Sequence, residues 1–301
     1  MKFTSLLLFL GVNGICCKAQ IQSADSLRHN VRKYLGRNFS EIRTFNYSWQ
    51  VVDKHNIIKF NTTIPIIDST HFSLYGIVKA DFYTYSKNEE CNNSDSFFCE
   101  NSNNQYYKAE INGMYRTTLA KKPLILNGNI SVDGFQNGVK QVMGTMAAIY
   151  VLKRNNHTGI SAGFAMLYPF DKVPLLPVLT YWHQFSSHWS VDVSLPRQSY
   201  LRYTFKENMR LSLGTMLQND HFYFDDKEAV RLFYMTSLNS ELLYEYVAMK
   251  HFYFWGRFGV STCLDAGIYG NKRKKIRSFD VGSERRNKPF MTLGCSYNLY
   301  K

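Results

Sequence analysis

With 301 residues the chain could form two ordinary domains, yet no shift of composition marks a linker, so one unit is expected. Its residues are 45% hydrophobic and 16% aromatic, but no apolar run approaches the ~20 residues of a spanning helix. That excludes a helical membrane protein and leaves a membrane sheet open. The formal charge is +13 at pH 7.

The first residues, MKFTSLLLFLGVNGICCKAQ, place Lys2 before an apolar run from Leu6 to Val12 and set small residues at Cys17 and Ala19. This is the pattern of a secretory signal, and residues 1–19 are expected to be cleaved before Gln20, with a lipoprotein anchor at Cys16 or Cys17 as the alternative. An exported protein makes nucleic acid a poor partner for the positive charge. Residues 20–42 follow. Here Leu27, Val31, Tyr34 and Leu35 fall at helical spacing, Ser23 or Asp25 can cap, and Gly36 can stop, which predicts a short amphipathic helix in a periplasmic segment or barrel plug. A loosely held arm is the other reading.

From Arg43 the period changes to two. Phe45, Tyr47, Trp49 and Val51 alternate with Thr44, Asn46, Ser48 and Gln50, a half-buried strand. Ile58 to Ile66 and Phe72 to Phe82 repeat the pattern. A fourth strand then sets Tyr107, Ala109, Ile111, Gly113 and Tyr115 against Lys108, Glu110, Asn112 and Arg116. A sandwich core would reject that charged face, whereas a water-filled barrel interior accepts it. Further strands are expected at 124–132, 142–153, 160–168, 176–185, 189–195, 199–205 and 209–217. Leu232 to Tyr246 keeps one register and reads as a single long strand, and 251–264 and 291–299 complete the set. The fold class is thus an all-β, membrane-spanning, antiparallel up-and-down barrel over residues 43–301, with about fourteen strands, or alternatively twelve.

An even strand number returns both chain ends to one side, and the connections agree. Residues 86–105, 133–141, 169–174, 218–228 and 265–288 read as long outer loops, while 120–123, 154–157, 207–208 and 248–250 read as short inner turns. Aromatic residues near strand ends, at Tyr181, Trp182, Trp189, Phe222 to Phe224 and Phe252 to Trp255, are expected to form interfacial girdles. Parity requires the last strand to pair with the first, its odd face to meet lipid, Cys295 to point outward, and Cys263, in register with Arg257 and Asp265, to point inward.

The chain resembles a Gram-negative outer-membrane β-barrel, and its middle resembles an uncharacterised bacteroidete-type barrel family. The landmarks are Leu176 to Val178, Trp189 leading to Leu195 and Pro196, Arg202 with Tyr203, Leu213 with Gly214, and Asn61 to Ile66. This resemblance implies a place in the cell outer membrane but no reaction. Outer-membrane lipids including lipopolysaccharide, and the barrel-assembly machinery, are the partners expected there. A small solute is possible, and no cofactor is expected.

Four sets of residues carry candidate chemistry. Cys91 and Cys99 bracket a polar segment without a second metal-type pair, so a local disulfide is expected in an exported protein, with two free thiols as the alternative. Lys272, Arg273, Lys274, Lys275, Arg277, Arg285, Arg286 and Lys288 crowd the last loop and could bind anions or lipopolysaccharide phosphates; a solvated loop is the plainer reading. Inward charges at Lys79, Asp81, Lys108, Glu110, Arg116, Asp192, Arg202, Arg210, Arg231, Glu241, Glu245, Arg257 and Asp265 could fill the interior or line a narrow solute path. Finally, His183, His188 and Ser190 lie near one hairpin but fit no hydrolase motif. A passive or substrate-selective conduit or a surface scaffold is the expected function, and a membrane-embedded lipid-modifying hydrolase is the alternative.

Overall fold

The computed structural model describes residues 44–52, 55–69, 71–85, 103–135, 138–168, 175–226, 229–248, 251–270, 275–278 and 287–298. The signal, the N-terminal helix, and the pair Cys91 and Cys99 lie outside these residues. Fifteen strands occur within them: β1 (Phe45–Val52), β2 (His55–Asp68), β3 (Phe72–Tyr85), β4 (Asn103–Leu119), β5 (Lys122–Phe135), β6 (Gly138–Arg154), β7 (Thr158–Tyr168), β8 (Leu175–Gln184), β9 (Trp189–Leu195), β10 (Gln198–Lys206), β11 (Met209–Asp226), β12 (Ala229–Ala248), β13 (Phe252–Tyr269), β14 (Lys275–Ser278) and β15 (Lys288–Tyr297).

From β1 to β13 each strand pairs antiparallel with the next, and β15 pairs with both β13 and β1, so fourteen strands close a ring. The short β14 sits outside the ring, on the free edge of β13 near Ile268. Closure uses the first and last strands as parity requires, with Phe45 opposite Tyr297 and Val52 opposite Phe290. It leaves no open edge along this seam.

The alternation sorts side chains by solvent. On β5, Asn127, Asn129, Ser131 and Asp133 are buried and face the lumen, whereas Leu126 and Ile130 face out. Ile130, Met146 and Leu213 are 67%, 68% and 61% exposed. Such an apolar outer surface, repeated around the wall, is stable only where the surrounding solvent is hydrocarbon. Trp189, Phe252 and Phe254 are exposed near strand ends, as expected of a girdle. Cys295 is on the outward odd face of β15 and Cys263 is buried, and neither is in a disulfide.

Three expectations change. Residues 133–141 and 218–228 are not loops, because β5 and β6 run on to Phe135 and from Gly138, and β11 and β12 run on to Asp226 and from Ala229. Cys263 does not share a face with Asp265: Ser237 pairs with Cys263 but Thr236 pairs with Asp265, so Leu264 is a bulge that reverses the alternation. Phe222 to Phe224 belong to no girdle, for they are buried inside the barrel, and neither do Tyr253, buried against Glu245, and Trp255, which lines the lumen.

Candidate functional site

The wall is low from β7 to β10 and tall at β11 to β13. Gln198, at the start of β10, is opposite Met216, and the Leu217 amide donates to the Arg197 carbonyl at 2.8 Å, so beyond Leu217 the edge of β11 has lost its neighbour. The same happens to β4, whose pairing with β5 ends where Tyr107 meets Gly134. The two free edges find each other, with Tyr223 opposite Gln105. Six strands separate β4 from β11 by either route around the ring, so this pairing spans the full width of the lumen. An unpaired edge is unfavourable, which supplies a reason for the lean.

The β11–β12 hairpin therefore folds across the barrel at the end that carries the long connections. Its aromatic residues fill the space there: Phe222 and Phe233 pack with Tyr83 of β3, Tyr106 of β4, Ile57 of β2 and Ile268 of β13. The rings of Tyr83 and Phe222 lie 4.8 Å apart, and those of Tyr106 and His221 meet edge to face at 4.1 Å. Polar bonds hold it on several strands. Lys59 Nζ of β2 reaches Asp220 Oδ1 at 2.5 Å, Gln218 donates to Gln50 of β1 at 3.1 Å, and the Tyr223 hydroxyl donates to Asp133 of β5 at 3.0 Å. Tyr106 donates to the same carboxylate at 3.3 Å.

Beside this hairpin lies a cavity of about 350 Å³. Lys59, Lys79, Lys108, Arg197 and Arg257 reach it, against Asp81 and Asp133. On the β9–β13 wall the charges are neutralised in sets. Arg202 pairs with Asp192 and Arg210 with Glu245, both at 2.5 Å, while Glu245 also accepts from Tyr253 and Glu241 accepts from Tyr200. Arg257 lies 3.7 Å from Glu241 and covers the Trp255 ring. The inner ends of β4 to β6 are apolar inside, with Met114, Ile125, Ile149 and Val151 in contact. The interior is thus partly filled and partly hollow, a combination expected between small packed barrels and open porins.

Of the basic residues of the last loop, Lys275 and Arg277 are in β14 and Lys288 opens β15; Lys272, Arg273, Lys274, Arg285 and Arg286 lie outside the described residues. The three candidate hydrolase residues do not converge. Ser190 is opposite Gln184, one position along from His183, so the two side chains take opposite faces of the wall. His183 bonds to Thr158 Oγ1 at 2.8 Å and His188 to Ser187 Oγ at 2.9 Å. Among the described residues no group of three His, Cys, Asp or Glu is placed to hold a metal ion. Sequence reasoning missed Lys59, Arg197 and Asp220 and assigned the aromatic run to a girdle, and the available signal was the mismatch between the short β10 and the long β11.

Fold and interior define the class: a closed transmembrane-type β-barrel with a polar lumen capped by its own hairpin. The chain belongs to the family of the domain of unknown function DUF6268, whose model matches residues 81–298. No curated protein matches it. Solved structures to which it is similar include KdgM porin in complex with disordered oligogalacturonate, at 8% identity and TM-score 0.37, covering 85% of this chain and 99% of that one. KdgM porin by itself gives 8% identity, TM-score 0.35 and the same coverages. A mutant of the Rh. blastica porin gives 10% identity and TM-score 0.30, covering 84% and 97%.

Proposed function

We propose that the protein is a non-enzymatic outer-membrane conduit for a small solute, with its outer mouth shut by the β11–β12 hairpin. The observation that carries this reading is the charged cavity of about 350 Å³ inside a fourteen-strand wall whose outer face is apolar. A barrel serving only as a scaffold gains nothing from burying so many ionisable groups, each of which is costly to desolvate. In this reading the chain is exported by residues 1–19, inserted by the barrel-assembly machinery, and set with the 270–287 connection outside, where its basic residues meet lipopolysaccharide phosphates. Residues 20–42 remain on the periplasmic side or enter the lumen. The landmarks from Asn61 to Ile66 and Leu176 to Val178 support a home among bacteroidete-type bacteria.

The test is planar-bilayer recording of the refolded, full-length mature chain. Discrete conductance steps with long closed intervals are expected. A correctly folded barrel that never conducts, even after the hairpin is loosened, would overturn the conduit reading.

A further inference from the structure

We infer that the cavity beside the hairpin binds a small oxyanion, a carboxylate or phosphate compound, through Lys79 and Arg197. The inference deepens the conduit reading and rests on it for the route by which the solute arrives.

Lys79 of β3 stands directly opposite Lys108 of β4, and both reach the cavity. Like charges opposed across a strand pair destabilise the sheet, so the arrangement needs a compensating anion. Lys108 has one in Glu110, at 2.8 Å. Lys79 lies within electrostatic reach of Lys108 and Arg197 and also of Glu110 and Asp81, yet among the described residues it forms no direct ion pair. Arg197 approaches from elsewhere, from the turn between the short strands β9 and β10. Its amide donates to the Ser194 carbonyl at 2.7 Å and its carbonyl accepts from Leu217, so the backbone is held while the side chain reaches the cavity. Among the described residues it too has no carboxylate partner.

The carboxylates near these two cations are shared with other groups: Glu110 holds Lys108, and Asp81 acts on Lys59 as well as Lys79. Asp133 accepts from the hydroxyls of Tyr106 and Tyr223, and Asp81 lies opposite Lys59, which also holds Asp220. Two further lining groups are buried without a hydrogen-bond partner among the described residues, the Trp255 Nε1–H and the Thr145 hydroxyl, and both can donate. Buried donors without acceptors are unfavourable, and an oxyanion supplies several acceptors at once. Leu167 and Tyr168 at the end of β7 also line the space, so the cavity reaches the low rim beside the hairpin. Its volume fits a small solute rather than a polymer segment.

Citrate and inorganic phosphate are the probes, titrated calorimetrically at low ionic strength into the detergent-held full-length mature barrel, whose fold is checked by heat-modifiable migration. Saturable binding of at least one is expected, weakened at least tenfold in Lys79→Gln/Arg197→Gln and retained in Lys79→Arg/Arg197→Lys. Equal affinity in wild type and the glutamine variant, or no binding of either probe to wild type, overturns the inference. Bilayer recording on the same preparation separates the two claims: conduction without oxyanion binding removes this site and leaves the conduit standing, whereas binding without conduction keeps the site and removes the conduit.

Discussion

Replacing Asp220 by Asn tests whether the hairpin is the gate. The change keeps the shape of the side chain and its bond with Gln218, which donates at 2.7 Å, but removes the charge that holds Lys59 at 2.5 Å across the lumen. Hydrogen bonds to charged groups contribute about 1.5–3 kcal/mol. The Lys59 side chain is 24% exposed and Asp220 only 6%, so water recovers part of the lysine's solvation when the bond is lost, and the low end, about 1.5–2 kcal/mol, applies. At roughly 1.4 kcal/mol per tenfold, the ratio of open to closed states should rise about 10- to 30-fold. Single-channel dwell times measure that ratio. In the double variant Lys59→Met/Asp220→Asn the rise should be less than the sum of the single effects, since both remove one interaction. A conducting Asp220→Asn barrel with unchanged dwell times would refute the assignment of the hairpin as the gate.

Three other outcomes are expected. Leu213→Arg places a charge on an outward position and should lower stability in lipid vesicles by about 2–4 kcal/mol if that position lies near the bilayer midplane, against a smaller loss for Leu213→Ala; urea unfolding measures both. Gly214→Val should block assembly, because a Cβ there would lie 2.0 Å from the Ser199 carbonyl oxygen and 2.8 Å from Tyr200 Cα, and wild-type yields of the heat-modifiable band would contradict this. Alkylation of the unfolded mature chain without reductant should modify two cysteines, Cys263 and Cys295, and four after reduction, as a Cys91–Cys99 disulfide requires; four without reductant would show that no disulfide forms.

Strand positions were readable because the two faces of a barrel wall meet different solvents, which imposes a sharp period of two on residues such as Phe45 to Val52. The length of β12 followed for the same reason, since Leu232 to Tyr246 never breaks its alternation. Alternation cannot say whether a strand stands upright or leans inward. Phe222, Tyr223 and Phe224 could serve a girdle or a plug equally well by composition, and Leu264 fits its pattern until its partners are known. The hydrolase candidates failed on a similar point: nearness in sequence put His183 and Ser190 on one hairpin, while pairing put them on opposite faces.

The sequence by itself determined the class of fold, the closing pair of strands and the charged interior, because each depends on local alternation and on strand parity. Only the tertiary structure decided that the lumen is capped and where the cations of its cavity meet. Those features depend on where neighbouring strands end relative to one another: β10 at Gln198 beside Met216, and β5 at Gly134 beside Tyr107. Two edges left free on opposite sides of the ring bring Tyr223 to Gln105, and the low rim that frees the first edge also brings Arg197 toward Lys79.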